Sequence, residues 1–317
     1  MGTSLTRVAK SWPATLGHTF ELDETPVDAA GAVSVVVTDA NGTVVSSGMA
    51  THTGTGQYTY ALPGQAALMA LNASWAGSFG GSTVTEVDLV EIVGGFYFSL
   101  PDARNSAKSL GNAVKFTAQD LADTRAEVEV ECEQIAQRAF VPRYRRLLLD
   151  GTGTSELLLP DIDIRTVRAA RVAPRADGTF VALTTAELAA LAAGDEGTLR
   201  RTDGLTWTEG RRNVIVEYEY GLDAPPPELK TMTLTRLRTR INVGNTGIPD
   251  RAISFSTVEG GTYRLSMPGQ YSTGIPDVDA VYQRYGRGGG QGDTASPASR
   301  QMDFDSQFLS LFHGGRR

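Results

Sequence analysis

The sequence predicts an α+β chain of more than one domain: a β-sandwich, then a mainly helical region carrying β-hairpins, then a flexible C-terminal tail. Three observations carry this. Over residues 19–93 short β-branched segments alternate with turn residues; after Gly94-Gly95 the apolar period changes from that of a strand to that of a helix; and from Gly286 the chain runs GRGGGQGD before Ser, Pro and Ala. At 317 residues the chain can bury at least two cores.

Composition narrows the function classes. No apolar run approaches the roughly 18 residues that would cross a bilayer, so no membrane partner is expected. A single cysteine, Cys132, excludes an intramolecular disulfide and a cysteine-built zinc site. The opening MGTSLT fits a myristoylation pattern at Gly2 but lacks a second lipid or polybasic signal, and with no apolar stretch behind it a cytoplasmic start is expected. Charge is uneven along the chain. Residues 1–97 hold 2 basic and 8 acidic groups, residues 98–285 hold 23 and 25, and residues 286–317 hold 4 and 3, within a total of −7. No stretch is basic enough to mark a nucleic-acid footprint.

Residues 1–97 read as all β. Phe20 and Leu22 alternate with polar neighbours, Val33 to Thr38 is rich in β-branched residues, and Asp39-Ala40-Asn41-Gly42 is a tight-turn signal leading into Thr43 to Ser46. Tyr58, Tyr60 and Leu62 share a face, Leu68 to Trp75 follows, and Thr83 to Val93 ends at Gly94-Gly95, which reads as a joint. Six or seven strands with Trp75 as core aromatic suit an immunoglobulin-like sandwich. His18 and His52 each stand alone, with no nucleophile and orienting acid beside them.

Residues 98–285 open with two capping-box signals, Ser99-Leu100-Pro101-Asp102 and Thr117-Ala118-Gln119-Asp120, the second starting a helix to about Phe140. Its stripe of Leu121, Val128, Cys132, Ile135 and Ala139 makes Cys132 a buried, inert thiol. Glu127 with Glu131 and Glu129 with Glu133 form two acidic columns flanking that stripe, which reads as a solvated or subunit-facing surface rather than a metal site. Leu147–Leu149 and Leu157–Leu159 flank a Gly-Thr-Gly turn as a hairpin, Thr184 caps a short helix, and Asn213 to Tyr220 alternates as a strand. Pro225-Pro226-Pro227 starts a basic helix to about Val243 carrying Lys230, Arg236, Arg238 and Arg240. Next comes a β-arm in which Phe255 and Thr257 face Tyr263 and Leu265 across a tip at Glu259, and then a helix opened by Pro276 and stopped by Gly286.

Residues 286–317 form a Gly-rich linker and a terminal segment in which hydrophobicity returns. Phe304, Phe308, Leu311 and Phe312 recur at one helical face, with Leu309 beside them, Asp303 and Asp305 near the start and Arg316 near the end. That spacing suits docking in a partner's groove, with folding back onto its own domain as the other reading.

No enzyme motif is present. GxxxxGK[ST], HExxH and GxSxG are all absent, and three histidines at 18, 52 and 313 assemble no dispersed triad. No cofactor or metal is expected.

Over residues 98–285 the order AQRAFVPRYRRLLLDGTGTSELLLPDIDIRTVRAARV, then VIVEYEYGLDAPPPELK, then TGIPDRAISFSTVEGGTYRLSMPGQYSTGIPDVDAVYQRY resembles the tailed-phage head–tail connector adaptor family, also called head-completion proteins. The resemblance implies a non-enzymatic virion protein that forms a homo-oligomeric ring, a dodecamer, below the portal protein and above the next connector or tail-completion protein. It implies assembly in the host cytoplasm and passing, non-specific contact with double-stranded DNA. On this reading Phe304, Phe308, Leu309, Leu311 and Phe312 dock on the portal, and Phe255, Thr257, Glu259, Tyr263 and Leu265 form a subunit-interface or channel arm. The sandwich is then an addition to the usual adaptor. Two other classes stay open: a phage surface-attachment module binding carbohydrate or protein, and a hydrolase with an unrecognised site.

Overall fold

A computed structural model describes residues 5–173, 178–194, 196–243, 254–256, 262–264 and 272–287. Ten strands precede the first helix: β1 (Leu5–Ala9), β2 (Ala14–Thr19), β3 (Glu21–Leu22), β4 (Thr25–Pro26), β5 (Ser34–Asp39), β6 (Val44–Met49), β7 (Thr51–Gly54), β8 (Gln57–Leu62), β9 (Met69–Phe79) and β10 (Ser82–Val93). They form a five-stranded sheet in the order β1-β10-β9-β5-β6 and a three-stranded sheet β2-β8-β7, with β3 and β4 as a small hairpin. Both larger sheets contribute to one core, where Val35, Leu71, Ala73 and Trp75 from one meet Leu16, Tyr58, Tyr60 and Leu62 from the other. Alternation dictates this, since successive residues of a strand point to opposite faces. Trp75 is fully buried, as its sequence context predicts, and His18 stacks on it at 5.2 Å between ring centres.

The expected turn at Asn41-Gly42 forms with the chemistry its residues allow. The Asp39 carboxylate accepts the backbone N–H groups of Asn41 and Thr43, each at 2.8 Å, and Gly42 takes a φ of 81° that a β-carbon would oppose. The first strand closes the sheet differently from the rest. β1 pairs parallel with β10, register Arg7 to Glu91, while the other larger pairings are antiparallel.

Beyond the sandwich come α1 (Leu100–Ser106), a 3₁₀ turn (Lys108–Gly111), α2 (Ala118–Ala136), β11 (Arg143–Gly151), β12 (Glu156–Leu158), β13 (Ile164–Val172), β14 (Val181–Ala182), α3 (Thr185–Ala189), β15 (Leu191–Ala193), β16 (Thr198–Arg201), β17 (Gly210–Tyr220), α4 (Pro227–Val243), β18 (Ser254–Ser256), β19 (Thr262–Arg264) and α5 (Pro276–Tyr285). Capping boxes at Ser99/Asp102, Thr117/Asp120 and Thr184/Glu187 start α1, α2 and α3, and each satisfies two otherwise unpaired backbone donors. α1, α2, α4 and α5 share one core with Tyr97, Phe98 and Phe140; a second core, built on Trp207, Val214, Val216 and Tyr218, belongs to the strands between them.

Three sequence expectations change here. The mainly helical character expected over 98–285 applies to its two ends, while 143–220 is largely β, a four-stranded sheet β11-β17-β13-β14 and a three-stranded sheet β12-β16-β15. The segments around Leu147 and Leu157 do not pair as a hairpin: Leu149 lies opposite Val214 and Leu157 opposite Leu199, because β11 pairs with β17 along its whole length, through a register shift, to Gly151 opposite Gly210, and β12 joins the other sheet. α2 stops at Ala136 rather than near Phe140. Gln137 adopts a left-handed φ of 52°, and Ala139, Phe140 and Val141 leave the helix as buried residues ahead of Pro142.

Candidate functional site

The chain concentrates buried charge at one place, where the sandwich meets α2 and β11. Arg7 points from β1 toward α2 with 4% of its side chain exposed. Its guanidinium reaches Glu91 Oε2 through Nε at 3.0 Å, Glu129 Oε2 through Nη1 at 3.0 Å and Glu133 Oε2 through Nη2 at 2.6 Å. Arg143 on β11 approaches from the other side, donating to Glu129 Oε2 at 2.9 Å, to Glu133 Oε1 through Nε at 2.9 Å and to the Gly95 carbonyl at 3.1 Å. Glu129, with none of its side chain exposed, also accepts the Tyr97 backbone N–H at 2.8 Å, and the Tyr97 hydroxyl donates to Glu133 at 3.2 Å.

Each charge here has a partner, as burial requires. Burial alone would raise the Glu133 carboxyl, but the Arg143 and Arg7 guanidiniums reverse that and hold it below its ordinary value. Burial works against Arg7 too, and Glu133, Glu129 and Glu91 outweigh it, so Arg7 holds its proton more tightly than a free arginine. Nearby, burial lowers Arg125, which lies 3.4 Å over the Phe96 ring and donates to the Phe98 carbonyl.

Three further hydrogen bonds fix the sandwich to the body. Asn41 donates to Glu217 Oε1 at 3.3 Å and accepts from Arg171 at 3.2 Å, while Arg168 bridges the Leu68 carbonyl and Glu219. Gly94, the first residue of the Gly-Gly joint, is a tight packing point. Its N–H donates to the Pro142 carbonyl at 2.9 Å, and a β-carbon there would stand 2.6 Å from Pro142 Cβ. A cavity of about 300 Å³ lies beside this joint, lined by Arg7, Glu91, Glu133, Arg138, Arg143 and Tyr144 among others.

The acidic columns of α2 therefore divide. Glu127 and Glu131 pair with α4, at 2.6 Å to Arg240 and 2.7 Å to Arg236, whereas Glu129 and Glu133 enter the buried network, which corrects the expectation of a solvated face for that column. Lys230 pairs with Asp102 at 2.8 Å and Arg238 donates to the Ser106 carbonyl, so the four cations expected on the basic helix are all engaged within the chain. Cys132 is buried as expected, and burial, with Glu133 and Glu129 nearby, pushes its thiol well up. Among the described residues no group of three or more His, Cys, Asp or Glu could hold a metal ion.

The residues singled out from sequence lie elsewhere. Phe255 and Tyr263 stand opposite one another in the β18–β19 ladder, while Thr257, Glu259 and Leu265 lie outside the described residues. Phe304, Phe308, Leu309, Leu311 and Phe312 lie outside them as well. The network itself went unread, although one signal pointed to it: Arg7 is one of only two cations in residues 1–97 and sits in a strand beside Val8.

No family model matches the chain, and no curated protein matches it. Among solved structures it aligns with a chain from the neck of the empty gene transfer agent particle computed with C6 symmetry, at a TM-score of 0.39 and 13% identity over 63% of this chain and 94% of that one. A chain from the virion of the native particle aligns at 0.40 and 15% identity over 59% and 89%. One from the native neck computed with C12 symmetry aligns at 0.38 and 12% identity over 64% and 98%.

Proposed function

We propose that the chain is a structural, non-enzymatic virion protein of the head–tail connector adaptor family. Its copies form a ring, a dodecamer by the family pattern, that docks on the portal protein and lets the genome pass toward the next connector or tail-completion protein. The sandwich is read as immunoglobulin-like, the β18–β19 arm as an interface or channel element, and the terminal segment around Phe308 as the portal anchor.

The observation that carries this reading over a surface-attachment module is the fixed joint. A module reaching for sugar or protein on a cell gains from a flexible tether. Here Arg7 is buried among three carboxylates and Gly94 packs on Pro142, so sandwich and body act as one shaped block. The engaged cations of α4 support passage of DNA. Each free Lys or Arg on a phosphate adds affinity through counterion release, and a helix whose cations bind the chain's own groups grips the duplex weakly.

Electron microscopy of the purified chain mixed with portal rings tests the reading. An added ring on the portal is expected, and it is lost when the chain ends at Ser299. Portal rings unchanged by the protein, together with binding on a glycan array, would replace the adaptor with the attachment module.

A further inference from the structure

We propose that the cleft between the sandwich and α2 binds a linear aliphatic polyamine, an elongated cation whose ammonium groups meet carboxylates from both sides. This site stands apart from the ring reading above.

The cleft holds about 610 Å³ and lies where β2, β3 and β10 approach the first turns of α2. Glu21 from β3, Glu86 and Asp88 from β10 and Asp123 from α2 line it, and among its described lining residues there is no Lys or Arg. Its other polar groups are hydroxyls and amides, such as Thr53, Thr85, Gln57 and Gln119. Elsewhere in the chain acids are answered by guanidiniums. The cavity at the Arg7 joint sets Glu91, Glu133 and Asp161 beside Arg7, Arg138, Arg143 and Arg145, and both acidic columns of α2 meet arginines. Here the one basic side chain is His18.

His18 does not balance the acids around it. Its side chain is 7% exposed and stacks on Trp75, with Nδ1 2.8 Å from Asp88 Oδ2 and Nε2 3.3 Å from Glu86 Oε2. The first contact is a hydrogen bond, whereas Nε2 is buried and makes none. A neutral imidazole carries one N–H. With that N–H on Asp88, the Nε2 lone pair faces a carboxylate oxygen, and two acceptors meet with no donor between them. A second proton on His18 satisfies that pair and still leaves Glu21 and Asp123 without an ion pair among the described residues. Partial burial, with Asp120 and Glu127 nearby, pushes the Asp123 carboxyl up despite the hydrogen bond that Gln119 donates at 2.8 Å, which is how a carboxylate with no cation beside it behaves.

Spacing selects the shape of the cation. Glu86 and Asp88 are two positions apart on one strand face, about 7 Å along the strand, and Asp123 lies across the cleft on a helix. Among the described residues no group of three or more His, Cys, Asp or Glu could hold a metal ion. The negative charges are strung along the cleft instead of gathered round a point. A polyamine carries several ammonium groups on one chain, so its N–H donors reach separate carboxylates and hydroxyls while its methylenes lie against exposed Val87. Glu86 and Asp88 keep 21% and 13% of their side chains open, enough for an ammonium to approach. Such a ligand touches β10 and α2 together and adds a bridge between sandwich and body to the one Arg7 makes.

The test titrates spermidine into the full chain by calorimetry at low salt, with thermal melting alongside. Saturable one-to-one binding is expected, with a rise in melting temperature because the ligand binds the folded chain, and with weakening as salt is added. Asp123→Asn is expected to weaken binding about threefold, and Asp123→Asn with Glu86→Gln at least about tenfold, with far-ultraviolet circular dichroism unchanged in both. Butylamine, with one ammonium, and Mg²⁺ are expected to bind at least about tenfold more weakly than spermidine. Absence of saturable spermidine binding would overturn the site. Binding that both variants leave unchanged would overturn it too, since that is general screening of a chain of net charge −7. Butylamine as tight as spermidine would overturn the polyamine in favour of a single ammonium, such as a lysine side chain, and Mg²⁺ as tight would overturn it in favour of a metal ion. None of these results bears on ring formation.

Discussion

The two acidic columns of α2 are alike in sequence and unlike in consequence. Glu127 and Glu131 meet Arg240 and Arg236 on a partly open helix surface, with 55% of the Glu127 side chain and 23% of the Glu131 side chain exposed. Glu129 and Glu133 meet Arg7 and Arg143 in the joint, at 0% and 16%. Water competes for the first pair of carboxylates and is nearly excluded from the second. Ion pairs that solvent can replace contribute little, whereas breaking a buried pair strands a charge in a poor solvent. Spacing on a helix therefore says which residues share a face and not what that face costs to disturb.

Breaking the buried side should produce the largest effect. Arg7→Ala removes one of the two guanidiniums that neutralise Glu129 and Glu133 and is expected to destabilise the chain by about 3–5 kcal/mol, read by urea unfolding. Gly94→Ala drives a β-carbon onto Pro142 and is expected to cost about 1–3 kcal/mol through overpacking, without removing any charge. On the open side, Arg236→Ala is expected to cost about 1 kcal/mol and Arg240→Ala under about 0.5 kcal/mol. The order of the four sharpens the comparison: if Arg240→Ala proved as costly as Arg7→Ala, burial would not be what separates the columns.

Acid probes the buried side through Glu133. The Glu133 carboxyl is held below its ordinary 4.5 in the fold, so the folded state keeps it ionised more readily than the unfolded chain does. Its contribution is fully present above about pH 4.5 and is lost as pH falls through the lower folded value. Melting temperature should therefore fall below about pH 4.5 in wild type, and Glu133→Gln should flatten that part of the profile while lowering the plateau at neutral pH.

Much of the architecture was legible because it is written locally. Caps at Ser99, Thr117 and Thr184, the turn at Asn41-Gly42, the proline start of α5 and the burial of Trp75 and Cys132 each depend on residues within one or two turns of chain. What escaped depends on distant partners. Whether Leu149 faces Leu157 or Val214 is decided by which sheet offers an apolar face, and a two-residue Gly-Gly looks the same as a hinge or as a packing point until Pro142 is placed against it. The joint was hidden for the same reason, since Arg7 and Glu129 are 122 residues apart.

Distance measurement between sandwich and body tests the fixed joint most directly. Cysteines introduced at exposed Thr53 and Thr239 can carry spin labels, since native Cys132 is buried and its thiol pushed up, and labelled chain diluted into unlabelled chain reports distances within one copy. One narrow distance distribution is expected in the otherwise wild-type chain at neutral pH, broadening in the Arg7→Ala background. A broad distribution already present with Arg7 in place, and unchanged by its removal, would contradict the single rigid block and with it the reading of the chain as a shaped connector subunit.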